Sequence, residues 1–311
     1  MPTESEEKQK SEKPKSEKPK SELLSSEFLK RLEQLQITST RIFQGRQQGE
    51  RRSKRRGVSI EFADYRDYVR GDDTRFIDWN LYSRLDRYFL KLFMEEQDLY
   101  FYSIIDTSKS MEYGNPAKLL YAKQVAAALS YIGLTKQDKV GISAFASNIH
   151  ETFRPTRGRA QIWRMLEFLG NLKADGQTSL AQTCRNFVLK NRMRGIVVLI
   201  SDFFDEEGFE GALKFFLQGN YEIFVVQILD KEEMNPEIRG HMELVDSETE
   251  DKTEITITPQ LLQQYKRTLE AYCTQINTYC TQYGMNYLVT STEVPFDEII
   301  LKYMRRRGLL R

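Results

Sequence analysis

No apolar run in this sequence approaches the length of a membrane-crossing helix. The longest runs, such as "GIVVLI" from Gly195, fall far short of the about 20 residues that span a bilayer. Cysteine is scarce: Cys184, Cys273 and Cys280 make an odd count with no paired metal-ligand spacing, which excludes a secreted disulfide framework and a thiolate metal centre. Cys273 and Cys280 stand seven residues apart on an expected helix, about 10 Å along its axis and beyond the ~7 Å reach of a disulfide, so both read as reduced thiols. Histidine is scarcer still. Neither His150 nor His241 lies beside a Ser or Cys in a nucleophile context, and "GISAF" at 141–145 lacks the final Gly of a nucleophile elbow. No Gly-rich phosphate loop and no G-x-G-x-x-G follows an expected strand, so nucleotide binding has no support. Charge of one sign is missing too: 46 Lys and Arg against 45 Asp and Glu leave no whole-molecule field to draw the chain to nucleic acid or an anionic membrane. The charged opening lacks the pattern of a secretory signal, and the sequence reads as cytoplasmic, with no membrane span.

What is present is a globular composition, 40% hydrophobic and 12% aromatic. Residues 1–21 repeat a Ser-Glu-Lys-Pro unit with no large apolar residue after Met1, which predicts a disordered tail. In "LLSSEFLKRLEQLQI", Leu23, Phe28, Leu29, Leu32, Leu35 and Ile37 recur near helical spacing, predicting a helix packed on the domain. A basic run, "RRSKRR" at 51–56, opens a segment dense in charge and aromatics. There Arg70, Arg75 and Arg84 with their neighbouring acids predict a buried-edge ion-pair network anchored by Trp79, and Arg87 to Gln97 predicts a strand. From Leu99 onward strands and helices alternate. Runs at 99–105, from Lys139, from Gly195, from Tyr221 and from Asn286 read as strands, and "NPAKLLYAKQVAAALSYIGL" as a helix with Asn115 as N-cap and Pro116 at its first position. This predicts an α/β fold: a doubly wound, mostly parallel sheet with helices on both faces. A β-hairpin from His241 interrupts the last crossover, and "MRRRGLLR" reads as a basic helix end. The organisation expected is a tail at 1–21, a helix and charged segment packed on the core at 22–98, and the α/β domain at 99–311.

In such sheets ligands gather beyond the carboxyl ends of the strands, where the strand order reverses. Three loops there carry hard oxygen donors: "DTSKS" from Asp106, "DGQTSL" from Asp175 and "SDFFD" from Ser201. Alternate residues of an extended loop point the same way, so Asp106, Ser108 and Ser110 can face one point. With Thr178 and Asp202 they suit a divalent cation, first Mg²⁺ and equally by ligand type Mn²⁺ or Ca²⁺, since hard ions take oxygen ligands and Mg²⁺ keeps several waters. An incoming carboxylate would replace one of those waters.

The D-x-S-x-S sequence, the later Thr in "GQTS" and an Asp after a buried strand resemble the metal-ion-dependent adhesion site of von Willebrand factor A domains. The resemblance implies Ser108 and Ser110 as direct ligands, Thr178 as direct or water-linked, and Asp106 and Asp202 as ligands through oxygen or bridging water. The segment from Glu61 to Gln97 is similar to the opening signature of the domain-of-unknown-function 58 family. That likeness implies a MoxR-type AAA+ ATPase as partner and a metal-dependent module that captures an acidic side chain of a protein. Two rivals stay open: a Mg²⁺-dependent phosphoryl-transfer or hydrolytic enzyme using the same pocket, and a nucleic-acid binder using 51–56. Against the first, position 108 is Ser where a phosphotransferase would carry a second acid, and no general base is visible beside Asp106.

Overall fold

Each central strand of the main sheet divides its side chains between two cores, and this division places the loops above it. The computed structural model describes residues 23–39, 60–95, 99–238, 240–245, 252–306 and 308–311. In strand β3 (Tyr100–Asp106), Phe101 and Ile105 face one core while Tyr102 and Ile104 face the other, the two-residue period of a strand buried on both sides. The same alternation runs through β6 (Ile196–Ser201) and β7 (Glu222–Leu229). The first core is closed by α1 (Ser26–Leu32), α3 (Lys118–Thr135), α4 (Ile162–Asn171) and the end of the chain. The second is closed by α5 (Leu180–Lys190), α6 (Glu210–Gln218) and α8 (Pro259–Gln282).

The sheet has six strands in the order β10-β7-β6-β3-β4-β5, with β4 at Lys139–Phe145, β5 at Ile149–Thr156 and β10 at Asn286–Ser291. All neighbours pair in parallel except β4 with β5. The fold class expected from the alternating pattern is therefore the one observed. Helix α3 is buried almost all round, as an apolar helix laid across a sheet must be. After β7 come the short α7 (Lys231–Met234) and the antiparallel hairpin of β8 (Gly240–Val245) and β9 (Lys252–Ile257), at the place expected for it. Ahead of the main sheet, β1 (Ile60–Asp67) and β2 (Phe89–Glu95) form a two-stranded ladder around α2 (Trp79–Leu85). Among the described residues no helix is long and apolar enough to cross a membrane. Cys184, Cys273 and Cys280 are free thiols.

Several local expectations are corrected. The first helix stops at Leu32, because residues beyond it pair with the chain's end: Gln36 and Arg311 exchange amide-to-carbonyl bonds at 3.0 and 2.9 Å, and Ile37 bridges Leu310. The terminal segment thus does more than end a helix, since Leu309 and Leu310 are buried. Helix α3 begins at Lys118 rather than at Pro116, after a turn closed by the Lys118 amide donating to the Tyr113 carbonyl at 3.0 Å. Three ion pairs of the charged segment lie at the surface, Arg66 with Asp72, Arg75 with Asp73 and Arg87 with Asp67, whereas Lys91 meets the buried carboxylate of Asp78. Trp79 is no buried anchor but 59% exposed, standing edge-on to Tyr82 and Tyr88, whose rings stack at 4.6 Å. Asp78 accepts the amides of Asn80 and Leu81 and so starts α2 with Trp79 on its outer side. The tail at 1–21 and the basic run at 51–56 lie outside the described residues.

Candidate metal centre

Strand order reverses between β3 and β6, since the chain proceeds from β3 to β4 on one side and returns to β6 on the other. Asp106 is the last residue of β3 and Asp202 follows the last residue of β6, so the parallel pairing sets two acids side by side at the carboxyl edge. Both are fully buried, as is Ser108. The Ser108 amide donates to Asp106 Oδ1 at 2.9 Å, which curls the loop so that the Ser108 and Ser110 hydroxyls lie 3.0 Å apart. Ser201 Oγ donates to Asp106 Oδ2 at 2.6 Å.

The loop that carries Thr178 is laced to this one through its backbone. The Asp175 amide donates to the Thr107 carbonyl at 2.7 Å, the Lys109 amide to the Gly176 carbonyl at 3.0 Å, and the Ser179 amide to the Ala146 carbonyl at 3.0 Å. Gly176 makes the turn with φ +81°, a conformation that costs glycine nothing. Asp205 Oδ2 in turn accepts the Leu180 amide at 2.6 Å, joining the third loop to the start of α5. All three sequence-selected loops thus meet at one end of the sheet, with Thr178 half-buried among them.

The electrostatics are those of two acids with little water. Burial pushes the Asp106 carboxyl up to about 7, the charge of Asp202 adds to that push, and the bonds from Ser201 and Ser108 oppose it. Asp202 Oδ1 accepts the Phe204 amide at 3.2 Å, and Gln227 Nε2 donates to the Asp202 carbonyl at 2.8 Å. Between them Phe203 holds φ at +64°, an uncommon backbone for a bulky residue, fixed by its amide donating to Ser201 Oγ at 2.9 Å and by Tyr272 Oη donating to its carbonyl at 2.6 Å.

Sequence reasoning missed Lys118, Glu233 and Ser201. The fully buried Lys118 ammonium lies 2.8 Å from Asp202 Oδ2 and 2.6 Å from Glu233 Oε1. Burial alone would lower its pKa, and the charges and hydrogen bonds of those two carboxylates raise it overall. The signal available was a lysine in the first turn of the apolar run "KLLYAKQVAAAL", of which only Leu120 and Gln124 turn outward. Among the described residues no group of three or more His, Cys, Asp or Glu side chains is placed to hold a metal, so a cation here must rely on hydroxyls beside two acids. That donor set, two carboxylates and three hydroxyls, fits a hard divalent ion and no soft one.

This strand order with its one antiparallel edge, and the three loops above its switch point, define a von Willebrand factor A-like domain. The family model described as "Protein of unknown function DUF58" matches residues 64–273, and the chain belongs to that family. An uncharacterized protein of Mycobacterium bovis is 24% identical over 262 residues, covering 82% of this chain and 82% of that protein. Among solved structures, the conserved hypothetical protein BatB from Bacteroides thetaiotaomicron is similar at 15% identity and TM-score 0.43, covering 67% of this chain and 98% of that one. The SpRpn10 VWA domain is similar at 12% identity and TM-score 0.39, covering 66% and 94%.

Proposed function

We propose that the protein is a cation-dependent protein-binding module, in which Asp106, Ser108, Ser110, Thr178 and Asp202 hold a divalent ion, Mg²⁺ first and Mn²⁺ or Ca²⁺ by the same chemistry. The observation that carries the reading is the pairing of two buried carboxylates at the switch point beside the adjoining hydroxyls of Ser108 and Ser110. Two acids buried together are costly, as the raised Asp106 carboxyl records; Lys118 answers the charge of Asp202, and a hard cation would relieve the cost that remains at Asp106. When bound, the ion supplies an electrophilic point for an acidic side chain of a partner. The chain's own residues do the rest: Ser201 and the Ser108 amide fix the Asp106 carboxylate, and the Phe204 amide orients Asp202.

The likeness of the segment from Glu61 to Gln97 to the family's opening signature supports a MoxR-type AAA+ ATPase as the partner class, with work in complex assembly or of a chaperone kind. The test is capture of such a partner by the full chain with Mg²⁺ and with a chelator. Asp106→Ala should abolish the Mg²⁺-dependent part while the circular dichroism spectrum stays unchanged. Capture of equal strength in the chelator and in the variant rejects the reading.

A further inference from the structure

A positive charge is already built into this site. Lys118, the first residue of α3, has no exposed surface, and its ammonium touches both Asp202 and Glu233 while standing 5.6 Å from the centre of the Phe204 ring. Glu233 is itself held in place: its Oε2 accepts the Asp230 amide at 2.7 Å, completing the capping box of α7, and Tyr265 Oη donates to its carbonyl at 2.9 Å. A buried ammonium is tolerated only when paired, and this one is paired twice. One of its two partners is an acid on which the cation reading depends.

We infer that Lys118 is a positioning residue and internal counter-charge that sets the affinity of the site for a divalent cation, with Glu233 drawing part of its charge away from Asp202. The inference rests on the cation-binding reading above. Asp202 offers Oδ2 to the ammonium, so a cation competes with Lys118 for the electrons of one carboxylate and is repelled by its charge. Glu233 lies on the same ammonium and moderates both effects. The two residues therefore act on the ion in opposite directions. Removing Lys118 frees Asp202; removing the charge of Glu233 concentrates the ammonium on Asp202.

The experiment is a titration of the full chain with Mn²⁺ alone, read as free-ion signal by electron paramagnetic resonance. Lys118→Met is expected to tighten Mn²⁺ binding and Glu233→Gln to weaken it, each by about tenfold. Glu232→Gln is the control, an acid of the same short helix that accepts from Tyr113 Oη and does not touch Lys118. Its effect is expected to be smaller and to vanish in high salt, whereas shifts from the buried pair persist. Glu233→Gln leaves Lys118 paired with Asp202 and carries the test by itself if Lys118→Met does not fold. Binding by the wild type with Lys118→Met and Glu233→Gln unchanged, or shifting in the same direction, overturns the inference and leaves the cation reading standing. No Mn²⁺ binding by the wild-type chain overturns both.

Discussion

Ser201 Oγ donates to Asp106 Oδ2 across 2.6 Å while accepting the Phe203 amide at 2.9 Å, so one hydroxyl ties the end of β3 to the left-handed turn after β6. Removing it leaves a buried carboxylate oxygen and a buried amide each short of a partner. Ser201→Ala is expected to cost about 1–3 kcal/mol of unfolding free energy, read from the urea midpoint. A midpoint equal to wild type would contradict the role given to this hydroxyl.

Gly195 precedes β6 where the strand comes against β3. A Cβ there would stand 2.0 Å from the Tyr100 carbonyl oxygen, a backbone atom that cannot swing aside. Gly195→Ala is expected to destabilise by on the order of 3 kcal/mol or more, since the two central strands would have to part. The thermal melting temperature measures it, and an unshifted melt would mean that the strands separate freely at this point.

Asp138, ahead of β4, is pushed up from 3.8 to about 7 by burial, and its Oδ2 has no hydrogen-bond partner. Between those two values the unfolded chain is ionised while the folded chain keeps its proton. The stability it contributes is therefore full below pH 4, falls as the pH rises to about 7 and stays low above it. Asp138→Asn should remove that slope and gain on the order of 2 kcal/mol at pH 8 relative to wild type, less than the full shift implies because water screens a partly exposed carboxyl. Denaturant midpoints at pH 5 and pH 8 decide it: a gain of equal size at both would assign the effect to something other than ionisation.

The fold was legible where burial on two faces leaves a long apolar signature. The strands that begin near Tyr100, Lys139, Ile196, Glu222 and Asn286 all fall on the expected runs. The edge strand from Ile149 was not legible, because Phe153 alone of "IHETFRPT" is buried and the run carries Pro155, which a central strand would refuse. Of the candidate site, the three loops were legible because oxygen donors at strand ends form a local pattern. Lys118 and Glu233 were not, since they lie 115 residues apart in sequence and join only across the folded end of the sheet.

The chain's two tryptophans, Trp79 beside the stacked Tyr82 and Tyr88 and Trp163 on α4, are 59% and 58% exposed. Indole fluorescence in this protein consequently originates largely in water, at two outer faces. Its colour will change little on denaturation, so an emission scan is a poor thermometer for the core. The same property makes it a sensitive optical gauge of whatever settles on either face.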